Sequence, residues 1–283
     1  MSLSGHIGVD CGGTHCRIAW ETEARRVDYI GRGSNFTVNP RACADAIIEA
    51  IGHLAQKAQL APEALHDLPC YLGVAGVLTP KQAEQLATLL PLSTTLIEED
   101  RRAAVVGALG AGNGCFAALG TGSFFARVTQ DRLRTLGGHG LALGDEASAA
   151  WLGREALRWS LHAGDGLAEA SALTRALLEE FGGAHGLSAF AAKATSTEFG
   201  SLARGVTRAA GQGDVVGRAL LHRGAGWICR SIRALGWQPG DVFCAPGALS
   251  AAYEPHLDPD LRATLTPPKG SALDGALILA QHV

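Results

Sequence analysis

The sequence lacks the patterns typical of membrane proteins, of disulfide-bonded proteins and of proteins that bind a metal cluster. Its seven cysteines form no C-x-x-C pair, so neither a structural zinc site nor an iron–sulfur site is predicted. No stretch of about 18 uncharged apolar residues occurs, and no membrane span is expected. Residues 1–6 show no basic segment leading into a long apolar one, so no signal peptide is expected. An odd number of cysteines without a disulfide framework suits reduced, buried thiols and a cytoplasmic location.

An excess of positive charge is also missing. The chain has 24 Lys and Arg against 27 Asp and Glu, which gives a formal net charge of −3. Nucleic-acid binding needs a concentrated basic surface, so no nucleic-acid partner is expected. With 47% hydrophobic and 18% charged residues, the 283-residue chain is typical of a globular protein of one large or two smaller domains.

Two segments share a pattern of strand, glycine-rich turn and strand, each followed by a third strand. The predicted strands are 7–10, 14–20 and 27–32 in the first segment, and 115–119, 123–128 and 133–136 in the second. This repetition indicates an α/β fold built from two related halves.

In much of the remaining chain, apolar residues recur at helical spacing. A long helix is predicted from Asp145 onward, and a last strand is predicted at 241–245 before the turn Pro246-Gly247. The apolar segment 272–280 predicts a buried helix that packs back on the first half. The lobes are therefore expected at 1–104, joined by the C-terminal helix 271–283, and at 105–270.

The first candidate site is the turn Asp10-Cys11-Gly12-Gly13-Thr14. Glycines permit close approach of a ligand and positive φ, and successive N–H groups with the Thr14 hydroxyl suit phosphate oxygens. Asp10 at the strand end would hold Mg²⁺ through water, because magnesium keeps much of its hydration. The alternative for this turn is a plain hairpin with a capping Asp.

The second candidate turn, Gly120-Thr121-Gly122-Ser123, offers the same groups about 110 residues later. A hairpin turn is again the alternative. Two such turns, each opening a three-strand meander, favour phosphate binding over two unrelated hairpins.

Three adjacent acids, Glu98-Glu99-Asp100, follow a predicted buried strand. A carboxylate there could orient an attacking hydroxyl and accept its proton. Chemistry alone does not choose among the three acids. Arg101 and Arg102 could instead pair with them as a surface cluster.

A glycine-rich loop, Gly137-Gly138-His139-Gly140, precedes Gly144-Asp145-Glu146-Ala147-Ser148. The loop would let a sugar ring lie close to the backbone, and Asp145 or Glu146 could accept hydrogen bonds from its hydroxyls. Helix capping is the alternative role for Asp145, and a lone histidine such as His139 is more often structural.

Taken in order, these motifs resemble the N-acetylglucosamine kinase and bacterial glucosamine kinase family. That family lies within the BadF/BadG/BcrA/BcrD ATPase type and the actin, hexokinase and heat-shock-chaperone superfamily. The resemblance extends along essentially the whole chain, including Ser34-Asn35 and Asp274-Gly275-Ala276-Leu277. It implies two ribonuclease-H-like (actin-like ATPase) lobes that close over ATP, Mg²⁺ and an amino sugar in the cleft between them, with transfer to the sugar 6-hydroxyl.

The resemblance also assigns roles by position. Asp100 would be the general base, and Asp10 the carboxylate associated with magnesium. The other assignments are phosphate contacts at Gly12, Gly13, Thr14, Gly120 and Thr121, adenosine contacts at Gly247 and Ala248, and sugar contacts at Asn35, Thr121, Gly138, His139 and Asp145. The implied partners are a small sugar and a nucleotide, and a homodimer is expected by analogy.

Three positions depart from the family pattern. The adenosine turn reads Ala245-Pro246-Gly247 where a Gly-Gly pair is usual, and proline removes a donor. Arg101-Arg102 follow the base in place of a small residue. Phe124 replaces a polar sugar contact, which leaves room for glucosamine or another hexose derivative.

Two other functions remain open from the sequence. One is an ATPase that activates a 2-hydroxyacyl-CoA dehydratase, which would need paired cysteines around an iron–sulfur cluster. The other is a catalytically silent sugar sensor, which would need a helix-turn-helix extension and a cysteine-rich zinc loop. The chain shows none of these features.

Overall fold

The computed structural model describes residues 3–110, 112–130 and 132–283, and the chain forms two compact units. Unit 1 contains Met1–Gly112 together with Pro268–Val283, and unit 2 contains Asn113–Pro267. The division expected at 104/105 falls within helix α3 (Arg101–Leu109), and the units divide after that helix, at Gly112.

Unit 1 is built on a five-stranded mixed sheet. Its strands are β1 (His6–Cys11), β2 (His15–Glu21), β3 (Arg26–Arg32), β4 (Cys70–Val74) and β5 (Thr95–Glu98). They lie in the order β3-β2-β1-β4-β5, with the meander antiparallel and β4 and β5 parallel to β1. The carboxyl ends of β1, β4 and β5 therefore lie along one edge of the sheet.

Helices cover both faces of this sheet, so its central strands are buried on both sides. The helices are α1 (Pro40–Ala58), α2 (Pro80–Ala87), α3 and α12 (Ala272–Ala280), with a 3₁₀ turn at Pro62–Leu65. The larger core lies under α1 and includes Ile7, Val9, Ile47 and Leu54. On the other face α12 packs against β1 and α3, and a side chain at Gly8 would clash with the α12 backbone at Leu277.

Unit 2 repeats the strand order of unit 1. Its strands are β6 (Gly114–Leu119), β7 (Ser123–Thr129), β8 (Arg132–Gly137), β9 (Phe243–Cys244) and β10 (Leu265–Thr266). The order β10-β9-β6-β7-β8 is that of unit 1 read from the other end, with the same antiparallel meander and parallel pairs. The predicted pair of related α/β halves is confirmed.

The helices of unit 2 form one large layer. They are α4 (Ala149–Gly164), α5 (Ala172–Glu180), α6 (Ala184–Ala191), α7 (Ser196–Ser201), α8 (Ala203–Gly211), α9 (Val215–Ala234), α10 (Ser250–Tyr253) and α11 (Pro259–Arg262), with a 3₁₀ turn at Glu254–His256. Helix α9 packs on β6 and β7, and α4 packs on α9 and on α5 to α8, so that Leu152, Leu220 and Ile228 lie in one core.

Three sequence expectations need correction. The helix predicted from Asp145 starts at Ala149, because Ser148 is its N-cap and accepts a hydrogen bond from the Trp151 N–H (3.0 Å). The strand predicted at 241–245 is limited to Phe243–Cys244, although Val242 and Pro246 also accept hydrogen bonds from β6. Strand β10 was not predicted at all, because a two-residue strand carries no periodic signal.

All seven cysteines are buried and free of disulfide bonds. Across the described parts of the chain, no helix is long and apolar enough to cross a lipid bilayer. Within the same residues, no three His, Cys, Asp or Glu side chains are grouped closely enough to hold a metal ion by themselves.

Candidate functional site

In unit 1, the turn between β1 and β2 is open to solvent. The Gly12 N–H donates to the His15 carbonyl (2.9 Å), and the Thr14 carbonyl accepts from Gly33 (3.0 Å). The N–H groups of Gly13 and Thr14 donate to no acceptor in the described residues, and both residues are exposed. Two adjacent N–H donors are thus left available for an anion.

The glycines of this turn are not required by its backbone. Contrary to the expectation from sequence, neither Gly12 nor Gly13 has a positive φ. A side chain at Gly13 would meet nothing within 4 Å, and one at Gly12 would make only an ordinary contact with His15. Since the fold leaves this space open, the small residues suit close approach of a ligand rather than chain geometry.

Asp10 lies buried at the end of β1 and faces one basic side chain. Arg17, its cross-strand partner on β2, donates a hydrogen bond to Oδ2 (3.0 Å). Desolvation nevertheless raises the pKa of Asp10, with Arg17 acting in the opposite direction. Arg17 therefore holds the Asp10 carboxylate in place but offsets only part of the cost of burying its charge.

Asp100 lies at the N-cap of α3, but its side chain forms no capping hydrogen bond. Burial raises its pKa to about 6, and the negative charges of Asp10 and Glu99 contribute further. Gly73 of β4 is the register partner of Asp10, and a side chain at Gly73 would lie 3.2 Å from the Asp100 backbone. Its lack of a side chain therefore lets Asp100 approach the strand that pairs with Asp10. Because β1, β4 and β5 end at one edge, the two aspartates share it.

The structure distinguishes Asp100 from the two neighbouring acids. Glu98 accepts hydrogen bonds from the Tyr71 hydroxyl (2.9 Å) and from Arg102 (3.1 Å). Glu99 forms a salt bridge with Arg101 (2.9 Å). The surface-cluster alternative thus describes the two glutamates, whereas Asp100 remains the acid with the strongly raised pKa.

Asn35 lies in the loop after β3, beside the exit of β4. Its Oδ1 accepts a hydrogen bond from the Val38 N–H (3.3 Å), and the loop is held to Ala75 through the Phe36 N–H (2.9 Å). The positive φ of Gly76 and its close approach to Asn35 make this a tight junction. The amide group is thereby fixed next to the strand edge that carries Asp10.

In unit 2, the turn between β6 and β7 is tied to the start of α4. The carbonyls of Gly120 and Thr121 accept hydrogen bonds from Ala149 (2.9 Å) and Ala150 (3.2 Å), the first two residues of that helix. The turn carbonyls therefore satisfy helix donors that would otherwise lack partners. Thr121 itself is exposed.

Asp145 is not the helix cap that the sequence allowed. It is buried, has a φ of +59°, and lies so close to the turn that a side chain at Gly122 would reach its Oδ2 at 3.0 Å. A left-handed backbone at a non-glycine residue costs energy and is typical of positions fixed by surrounding structure. The structure therefore brings Asp145 together with the second turn.

Gly138 and His139 belong to the loop that leads to Asp145. Gly138 has a φ of +71°, which favours glycine, and His139 is exposed. The loop closes on itself through the hydrogen bond from Gly144 to the Gly140 carbonyl (2.8 Å).

The segment after β9 meets the end of β6. Pro246 uses its carbonyl to accept a hydrogen bond from Leu119 (3.0 Å), which extends the parallel pairing. Gly247 has a φ of +129°, and any side chain there would clash with the Leu119 carbonyl. Glycine is required here by the fold, and Ala248 is exposed immediately after it.

Phe124 lies on the face of the sheet opposite to Ser123, away from the loop that carries Asp145 and Glu146. Ser123 beside it donates to the Glu146 carbonyl (2.7 Å), whereas the Phe124 ring packs on Phe116 with a centroid distance of 5.4 Å. Adjacent strand residues face opposite sides of the sheet. The sequence did not indicate one functional candidate, Arg17, because its position opposite Asp10 depends on the pairing of β1 with β2.

The fold defines the class of this protein: two α/β units with one strand order, each with a glycine-containing turn after its first strand. The sequence pattern of the BadF/BadG/BcrA/BcrD ATPase family matches residues 7–245, and the chain belongs to this family.

Individual relatives agree with that assignment. A candidate N-acetylglucosamine kinase from Chromobacterium violaceum is 32% identical, with a TM-score of 0.89 over 99% of this chain and 100% of its own. Glucosamine kinase GspK of Vibrio cholerae is 22% identical over 98% of this chain and 96% of its own. A glucokinase of the ROK family from Streptomyces griseus, solved with glucose and AMPPNP, shares the fold at 19% identity and a TM-score of 0.60, over 99% of this chain and 100% of its own.

Proposed function

We propose that this protein is an ATP-dependent kinase that phosphorylates the 6-hydroxyl of an amino sugar, N-acetylglucosamine or glucosamine. The observation that carries the proposal is the pair Asp10 and Asp100 at one sheet edge, beside the open turn Gly12–Thr14. The choice of an amino sugar rests on the similarity to the Chromobacterium and Vibrio proteins.

Asp100 is assigned as the general base. Its pKa of about 6 leaves the carboxylate ionised at neutral pH yet closer to the operating pH than that of an ordinary aspartate. The carboxylate would accept the proton of the sugar hydroxyl and hold its oxygen toward the phosphoryl group. Such proton transfer contributes about 10²- to 10⁴-fold to the rate.

Asp10 is assigned to magnesium. Burial raises the pKa of both carboxylates, and the charge of Asp10 raises that of Asp100 further, so the pair fits a divalent cation, which would relieve the repulsion. Since no larger cluster of ligands exists among the described residues, water and nucleotide phosphates would complete the coordination. The cation would neutralise charge on the phosphates, while Arg17 fixes the Asp10 side chain.

The remaining assignments follow the positions of the residues. The free N–H groups of Gly13 and Thr14, with Gly12, would contact phosphate oxygens from unit 1, as Gly120 and Thr121 would from unit 2. Asn35 in unit 1 and Thr121, Gly138, His139 and Asp145 in unit 2 would bind the sugar. Gly247 and Ala248 would lie against the adenosine.

A coupled ADP-release assay tests the proposal. ATP and Mg²⁺ are supplied with glucosamine, N-acetylglucosamine, glucose, N-acetylmannosamine or no sugar, and Asp100→Asn serves as the inactive control. We expect turnover that depends on an amino sugar and is lost with its 6-deoxy analogue. Hydrolysis of ATP at the same rate without sugar would contradict the kinase and favour an activator ATPase.

A further inference from the structure

Unit 2 contains a polar cavity of about 520 Å³ between helices α4 and α9. From α4 it is lined by residues spaced at one helical face, Trp151, Arg154, Glu155 and Arg158. From α9 the lining is His222, Arg223, Gly226, Trp227 and Arg230. This volume is in the range of small-molecule sites, which occupy about 300–1,000 Å³.

The cavity is basic in a protein that is acidic overall. Four arginines and two glutamates line it, an excess of two positive charges, whereas the whole chain has a formal charge of −3. One carboxylate is already neutralised: Glu155, with 6% of its side chain exposed, lies 3.3 Å from Arg223 and 3.4 Å from Arg154. This buried glutamate orients two of the arginines without cancelling the rest.

The other two arginines keep their guanidinium donors available. Arg158 and Arg230 form no ion pair with any residue of the described ranges, and both are exposed. Arg230 stacks on Trp227 at 5.0 Å, and Arg223 lies 5.6 Å from the ring of Trp151. Aromatic faces thus hold guanidinium groups in fixed positions around the cavity.

A buried donor at the neighbouring wall also lacks an acceptor. A second cavity of about 220 Å³ shares Glu155, Arg158 and Arg223 with the first and is lined by Trp159. The indole Nε1–H of Trp159 is buried and has no hydrogen-bond partner in the described residues. Buried polar groups normally have partners, so this donor points to an acceptor that a ligand would bring.

We propose that these two adjacent cavities, which share Glu155, Arg158 and Arg223, bind a small phosphomonoester. Such a group carries about −1.5 to −2 charges near pH 7, which matches the excess of two positive charges, and its oxygens accept from guanidinium forks and from an indole N–H. The site is separate from the residues assigned to ATP and sugar, none of which lines either cavity.

The cavity is connected to the loop that carries Asp145. Glu146, the next residue, is part of its lining, and the Arg154 guanidinium donates to the Leu141 carbonyl of the same loop. A phosphate that draws Arg154 away would release this contact. The site is therefore an effector site, a role that rests on the proposed binding of sugar by that loop.

Tryptophan fluorescence and calorimetry test binding in the full chain without any turnover. Inorganic phosphate and glucosamine 6-phosphate are titrated separately, with neutral glucosamine as the blank. We expect both anions to bind, and a gain for the ester would show that its sugar ring is also recognised. Binding of neither anion would overturn the proposal.

Matched variants locate the binding. The double variant Arg158→Gln/Arg230→Gln removes the two available guanidinium groups, while Arg204→Gln/Arg208→Gln on α8 makes the same charge change outside the cavity. The pocket variant is expected to lose at least about tenfold in affinity and the control less than twofold. Equal losses in both variants would contradict a site at this place.

A second readout tests the effector role. With saturating phosphate, the KM for the amino sugar is expected to change in the native protein and in the α8 control but not in the pocket variant. Anion binding with an unchanged KM would overturn the effector role. A protein that binds the anion but phosphorylates no sugar would instead contradict the proposed function, so the two failures are distinguishable.

Discussion

The two units share one strand order, yet their sheet edges carry different chemistry. At the edge of unit 1, β1 ends at Asp10-Cys11, and Asp100 is the N-cap residue before α3. At the matching positions of unit 2, β6 ends at Ala118-Leu119, and β10 is followed by Pro267. Acidic residues therefore stand at the strand ends of unit 1 and not at those of unit 2, where the Asp145 carboxylate reaches the turn from the loop before α4. The fold supplies the same turn twice, with carboxylates placed differently around each copy.

The turns themselves also differ in what holds them. Gly12–Thr14 has two free N–H groups and no helix docked on its carbonyls. Gly120–Gly122 is bonded to the start of α4 and lies beside Asp145 and Gly247. The Gly12–Thr14 turn is thus open to a ligand, whereas the Gly120–Gly122 turn is closely packed against its neighbours.

Replacing Asp100 by Asn should produce the largest effect. The variant keeps the shape of the side chain but loses the proton acceptor, so kcat is expected to fall by about 10²- to 10⁴-fold. Sugar binding measured by calorimetry should remain within a fewfold of the native value. The control is Glu99→Asn, which changes an acid that is paired with Arg101 and should retain most activity. Near-normal turnover in Asp100→Asn would remove Asp100 as the base.

Alanine at Gly247 should lower stability, whereas alanine at Gly13 should weaken the binding of ATP. Gly247→Ala places a side chain against the Leu119 carbonyl at a φ of +129°, so unit 2 is expected to lose about 1–3 kcal/mol of unfolding free energy. Gly13→Ala meets nothing within 4 Å and should leave the melting temperature unchanged. The same change narrows the open turn, and the KM for ATP is expected to rise about tenfold or more.

Thermal melting and nucleotide titration of both variants separate these effects. Destabilisation by Gly13→Ala would show that the turn glycines serve the fold. An unchanged KM in that variant would show that the turn does not meet the phosphates.

The pH dependence of stability should be of the same order as the effect of Gly247→Ala. Asp100 has a pKa raised from 3.8 to about 6, so the folded state binds its proton more tightly than the unfolded state. The stabilisation is fully present below pH 4 and is lost as the pH rises through about 6. It amounts to about 3 kcal/mol at most, because one pKa unit corresponds to 1.36 kcal/mol.

Asp100→Asn removes this dependence. The variant should melt at a higher temperature than the native protein at pH 7.5, and the difference should shrink toward pH 4. The kcat/KM of the native protein should fall as the pH drops below about 6, since the base becomes protonated. A stability difference that grows toward acid pH would contradict a raised pKa.

The sequence predicted the repeated meander because each strand had a periodic pattern and each turn had glycines at its centre. It placed the start of the helix four residues too early, at Asp145 instead of Ala149, because Ser148 and Asp145 are both acceptable caps and only the structure shows which one accepts the Trp151 N–H. It missed β10, whose two residues pair with β9 only after the unit has folded. It could not choose among Glu98, Glu99 and Asp100, since only the structure shows that the two glutamates are taken up by a hydrogen bond from Tyr71 and by ion pairs with Arg102 and Arg101.

Local pattern and residue type were enough to predict the α/β class, the two glycine-containing turns and the acids near them. Folding was needed to show which acid is buried near Asp10, that Arg17 faces Asp10, and that arginines and tryptophans of α4 and α9 line a basic cavity. Burial and charge proximity depend on strand register and helix packing. Neither can be read from neighbours along the chain.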